Sequence, residues 1–137
     1  MNTHESYVSL ETAQLLKEAG FEWECDMVYC NDDQAIIDNS HCPCNWNSCR
    51  NNYSAPTLAI AQKWLREEKE IYAEAYISES HHAVVWMASV YQWEKRPLGR
   101  ELRDKCLCTG IGPVYFDTYE QALEESVKKC LTLLLEE

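Results

Sequence analysis

The stretch that decides the fold runs Ile71-Tyr72-Ala73-Glu74-Ala75-Tyr76-Ile77-Ser78, then Glu79-Ser80-His81-His82, then Ala83-Val84-Val85-Trp86-Met87-Ala88-Ser89-Val90-Tyr91-Gln92-Trp93. Two runs rich in aliphatic and aromatic side chains flank a short polar turn, which predicts two strands joined as a hairpin. In the second run Val84, Trp86, Ala88 and Val90 fall on one face, and Val85, Met87, Tyr91 and Trp93 on the other. Apolar side chains on both faces predict a central strand covered on both sides, or one with a side left to meet a partner.

Toward the C-terminus, residues 94–112 read as a charged connector containing Gly and Pro, with room for a strand at 105–109. Val114-Tyr115-Phe116 then reads as a short strand leading into a helix. Ala122, Leu123, Val127, Cys130, Leu131 and Leu134 recur at helical spacing, while Glu124, Glu125, Lys128 and Lys129 face water. Two capping registers overlap at its start: Asp117 with Glu120 reaching back, or Thr118 with Gln121.

Toward the N-terminus, a helix is predicted from Pro56 or Thr57 to Glu68, capped by Ser54 or Thr57. Leu58, Ala61 and Leu65 form one apolar line and Ile60 and Trp64 the adjacent one. Another helix is predicted from an N-cap at Ser9 through Ala19, with Val8 and Ala13 as a hydrophobic staple and Gly20 as its left-handed terminator. Phe21, Trp23, Cys25, Met27 and Tyr29 alternate with Glu22, Glu24, Asp26 and, less neatly, Val28, the period of a half-buried strand. Residues 31–53, dominated by Asn, Asp, Ser, Cys and Pro, read as a long Cys-rich loop with room for one short strand at 34–38. Loops of that length are uncommon in compact domains and tend to be functional. The order α-β-α-β-β-(β)-α predicts an α+β fold, a small antiparallel sheet with packed helices, in a single domain spanning 1–137.

The net charge is −11, and residues 1–50 carry nine acids against only Lys17 and Arg50, a net of −7. That balance argues against a nucleic-acid binder, whose phosphate contacts need basic surface. The basic residues cluster instead at Lys95, Arg96, Arg100, Arg103 and Lys105, diluted by Glu94, Glu101 and Asp104. No basic run followed by an apolar stretch opens the sequence, and no apolar run approaches a membrane span. A cytoplasmic protein with no membrane association is therefore expected, and its eight cysteines are expected to be reduced.

Zinc wants four thiolate or imidazole ligands. His41, Cys42, Cys44 and Cys49 supply that chemistry within nine residues, in His41-Cys42-Pro43-Cys44-Asn45-Trp46-Asn47-Ser48-Cys49. The spacing is unlike that of structural zinc sites, which draw pairs of ligands from two separated segments. Unligated loop thiols are the competing reading, and no cofactor is expected. Cys106-Leu107-Cys108 lacks the two-residue spacer and the helix start of a redox dithiol, and Cys25 and Cys130 fall on apolar faces as core residues. His81 and His82, beside Glu79, are acid–base candidates, although polar residues at a hairpin turn are ordinarily solvated. No Gly-rich phosphate loop, paired helical His or Gly-x-Ser-x-Gly elbow occurs, which weighs against an enzyme and leaves catalytic residues unassigned.

The segment Ser54-Ala55-Pro56-Thr57-Leu58-Ala59-Ile60-Ala61-Gln62-Lys63-Trp64-Leu65-Arg66 resembles a family of short uncharacterised proteins from Bacteroides-type gut bacteria and their phages and mobile elements. Tyr7 through Trp23 and Tyr115-Phe116-Asp117-Thr118-Tyr119-Glu120-Gln121-Ala122-Leu123 are similar to two further blocks of it. The resemblance implies no activity or site residue, and residues 39–52 lie outside its pattern. The expected function is a non-catalytic binding or interaction module, an accessory protein of a phage or mobile element. Its expected partner is another protein or a second copy of the chain. The alternative is a zinc-binding protein using residues 41–49.

Overall fold

Elements form here where capping, turn chemistry and side-chain periodicity agree. The computed structural model describes residues 6–31, 33–80, 83–96, 99–104 and 115–136. In chain order the elements are α1 (Leu10–Glu18), β1 (Met27–Cys30), β2 (Ile36–Asp38), a single 3-10 turn (Trp46–Ser48), β3 (Asn52–Ser54), α2 (Leu58–Glu68), β4 (Ile71–Ser80), β5 (Ala83–Arg96), β6 (Gly99–Asp104) and α3 (Tyr119–Leu135). The fold is α+β with antiparallel pairing throughout. Two small sheets replace the expected one, ordered β2-β1-β3 and β4-β5-β6. Contacts divide the chain into two compact units, 1–61 with 131–137 and 62–130. No helix among the described residues is long and apolar enough to cross a membrane.

In the first unit, the Ser9 hydroxyl accepts the Thr12 N–H at 3.3 Å and starts α1. The helix stops because Gly20 adopts φ +94°, where a Cβ would be strained. With Gly20 left-handed, its N–H reaches the Lys17 carbonyl at 3.1 Å and the Phe21 N–H reaches the Leu16 carbonyl at 3.0 Å. These two bonds satisfy carbonyls that a helix end would otherwise leave open. Phe21 and Leu16, the side chains bracketing this terminator, are both fully buried. Val8, Ala13, Val28 and Tyr29 complete the centre of this unit, and the Tyr29 hydroxyl donates to the Val8 carbonyl at 2.7 Å.

The predicted strand over residues 21–29 is shorter than its alternation implies. Only Met27–Cys30 runs as a strand, while Cys25 makes a lone antiparallel bridge with Cys44. Phe21 and Cys25 are buried and Glu22 and Glu24 exposed, so burial alternates without a ladder. The cause is that the neighbour of residues 21–25 is not a strand but an irregular loop reaching in with side chains. That loop is also more ordered than expected. Its short strand lies at Ile36–Asp38, inside the anticipated 34–38, and β3 pairs with β1 on the opposite edge.

The second unit contains the hairpin. Ile71 through Ser80 pair with Gln92 through Ala83, and Tyr91 through Arg96 pair onward with Asp104 through Gly99. Strand β5 is thus central, as its two apolar faces predicted. Residues 94–96 and 99–104, read as connector, instead extend β5 and form β6. Of the strand expected over 114–116, residues 115 and 116 are described, and Phe116 makes an isolated antiparallel bridge to Trp86. The predicted strand at 105–109, His81, His82, Cys106 and Cys108 lie outside the described residues.

Helix α2 begins at Leu58, with the Thr57 hydroxyl accepting the Ile60 N–H at 3.2 Å, so Thr57 is the cap and Ser54 is used elsewhere. For α3 the Thr118 register prevails: its hydroxyl accepts the Gln121 N–H at 3.1 Å, and the Gln121 side chain accepts the Asp117 N–H at 3.2 Å. Within the second unit, Tyr119 meets Trp86 edge-on at 5.3 Å between ring centres, placing the start of α3 on the face of β5 that carries Ala88 and Val90. Ser126 is buried on the same helix. Its hydroxyl accepts the Glu74 N–H at 3.0 Å and donates to the Ser89 carbonyl at 2.6 Å, and Glu74 and Ser89 face each other across β4 and β5.

Candidate functional site

The Cys-rich loop was the sharpest chemical candidate, and its geometry assigns it a supporting role. His41, Cys42 and Cys49 are exposed and Cys44 is half-buried. Among the described residues no group of three or more His, Cys, Asp or Glu side chains is placed to hold a metal ion. What the loop contributes to its neighbours comes from its other residues. The Asn47 side chain accepts the Ser54 N–H at 2.8 Å and donates to the Phe21 carbonyl at 2.9 Å. The Trp46 indole N–H donates to the Cys25 carbonyl at 2.8 Å, and the Trp46 backbone N–H donates to the Ser54 hydroxyl at 3.0 Å. The Cys25 N–H reaches the Cys44 carbonyl at 2.9 Å. The loop therefore clamps residues 21–25 through these hydrogen bonds.

A second fastening closes the loop's far end. The Lys17 ammonium, carried on α1, donates to the carbonyls of Cys49, Arg50 and Asn52 at 2.8, 3.0 and 3.0 Å. It also stands 5.0 Å from the centre of the Tyr53 ring. All three ammonium protons have a carbonyl to meet, in the run that leads into the first residue of β3.

Beside the clamped segment lies a pocket of about 430 Å³. Tyr7, Trp23, Glu24, Cys25, Asp26, Ala55, Pro56, Thr57, Ala59 and Ile60 line it. Three backbone segments build its frame: the Val8 N–H donates to the Pro56 carbonyl at 3.0 Å, the Leu58 N–H to the Ser6 carbonyl at 2.8 Å, and the Ala55 N–H to the Met27 carbonyl at 3.0 Å. Its wall is aromatic and aliphatic, with Tyr7 and Ile60 exposed and Trp23 half-buried against Phe21 at 6.2 Å between ring centres. Glu24 and Asp26 are exposed at its edge, and no basic residue stands among the described residues that line it.

The chemistry available there is limited by the state of its thiol. Burial pushes the Cys25 thiol up to about 12, against a weaker opposing hydrogen bond from Ser54, with the Asp26 charge adding to the rise. Cys25 is a neutral thiol at ordinary pH and a poor nucleophile. Burial pushes the Cys130 thiol up as well, with Glu74 adding to it. Ellman's reagent is expected to modify Cys42 and Cys49 in the native protein while Cys25 and Cys130 wait for unfolding, as mass mapping of the labelled sites would show. Labelling of Cys25 as fast as Cys42 would contradict the burial. Both buried thiols hold their protons more tightly than the unfolded chain does. Stability is therefore full below about pH 9 and falls as pH rises toward 12.

Sequence reading missed this pocket because its wall comes from three segments, around residues 7, 23–26 and 55–60, joined only by long-range pairing. The one local signal is the alternation that puts Trp23 between Glu22 and Glu24. Comparison with protein-family models, with curated proteins and with solved structures finds no match.

Proposed function

We propose that the chain is a non-catalytic binding module, an accessory protein of the phage or mobile-element kind that its resemblance implies, and that its partner is a protein. The observation that carries this reading is the pocket framed by Tyr7, Trp23 and the start of α2. It has a rigid backbone frame and an aromatic wall, and the thiol in its wall stays protonated. Its lining is mixed, with Tyr7, Trp23, Pro56 and Ile60 beside Glu24 and Asp26, and a concave site of this volume suits the capture of a side chain or short peptide. Its exposed rim supplies the place to test it. A photo-crosslinking amino acid at Ile60, 39% exposed, is expected to yield a discrete protein adduct in the native host. The same group at Glu67, on the exposed side of α2, is expected to yield none. An identical adduct pattern from both positions, or none from Ile60, would remove the basis for the proposal.

A further inference from the structure

We infer that the pocket recognises an arginine side chain presented by a basic segment of the partner; this rests on the binding-module reading and names its ligand chemistry. Three features point the same way. Trp23 and Tyr7 offer ring surface in the wall, and a guanidinium stacks on aromatic faces more favourably than a compact ammonium does. Glu24 and Asp26, two residues apart and both exposed, place carboxylates at the edge where the charged head would emerge. The aliphatic part of the wall, Pro56, Ala59 and Ile60, fits the methylene stem of the same side chain.

The surrounding charge supports a cation over an anion. Residues 1–50 hold nine acids against two basic residues, and Lys17 is already engaged by three carbonyls of its own chain. The first turn of α2 borders the pocket, and a helix start ordinarily favours anions. Here the Leu58 N–H is taken by the Ser6 carbonyl, the Ile60 N–H by the Thr57 hydroxyl and the Ala61 N–H by the Thr57 carbonyl. The Leu58 and Ile60 donors are thus directed at the protein, which leaves the Ala59 N–H set against two full carboxylate charges, Glu24 and Asp26, and the carboxylates govern the sign of the ligand.

The test uses a blocked pentapeptide, Gly-Gly-Arg-Gly-Gly, and its citrulline counterpart, which keeps the shape and removes the charge. Titration followed by NMR is expected to shift the Trp23 indole and the Ile60 methyl signals, with the citrulline peptide binding about tenfold more weakly. Glu24→Gln with Asp26→Asn, both at exposed positions that leave the fold intact, is expected to erase that tenfold preference. Trp23→Leu is expected to weaken both peptides. Equal binding of the two peptides, or an arginine preference that survives the double substitution, would overturn the inference. A crosslinked partner from Ile60 together with equal peptide binding would leave the binding module standing and remove only the arginine. No adduct and no shift would remove both.

Discussion

Replacing Asn47 with Ala is expected to destabilise the protein by about 2–4 kcal/mol, among the largest effects of any polar substitution in the first unit. The Asn47 amide makes two bonds to backbone groups that have no neighbouring strand, accepting from the Ser54 N–H and donating to the Phe21 carbonyl. Truncation strands one donor and one acceptor in a part-buried place and frees the segment that carries Trp23. Asn47→Asp keeps the acceptor and loses the donor, so its effect should fall near half. Urea unfolding midpoints for the three proteins check the order, with an unchanged midpoint for Asn47→Ala refuting the clamp. Because the pocket frame hangs on the same segment, the arginine peptide should bind Asn47→Ala more weakly even where that variant is fully folded.

The second large effect belongs to Ser126 in the other unit. Ser126→Ala is expected to cost about 1–3 kcal/mol, since the lost hydroxyl leaves the Glu74 N–H and the Ser89 carbonyl without the group that joins them. The hydroxyl sits on α3 and bonds to both strands of the hairpin, so it fixes the height of the helix on the sheet as well as adding energy. Hydrogen exchange gives a local reading: the Glu74 amide should lose protection first in Ser126→Ala, ahead of amides at Ala73 and Ala88. Uniform loss across the hairpin would mean that the hydroxyl contributes only packing.

Features written in neighbouring residues were legible in the sequence. Ser9, Gly20, Thr118 and Gln121 act on backbone groups within a turn of themselves, so capping rules place three of the four ends of α1 and α3 within a residue. The hairpin was legible because its two runs are long and their turn is short. The loop over 31–53 was legible only at its short strand near 34–38, because the rest is held by partners such as Lys17, 32 to 35 residues away from the carbonyls it meets. Cysteine spacing drew attention to Cys42, Cys44 and Cys49, whereas Trp46 and Asn47 between them do the fastening. Ser126 was hidden for a related reason. A serine at helical spacing from Ala122 and Cys130 reads as neutral until a sheet supplies the two backbone groups it bridges.

Lys17 has one further consequence. Many proteins knit an irregular loop around a calcium ion, using backbone carbonyls as ligands. This loop meets a cation through its carbonyls too, but the cation is tethered to a helix of the same chain, at a fixed stoichiometry of one. Such a knot cannot be loosened by a chelator, and it leaves the neighbouring thiols out of the fastening. The loop's far end depends instead on the charge of a single amine: acylation of Lys17 would remove the positive charge and two of its three donors, and so loosen that end while Trp46 and Asn47 still hold the other.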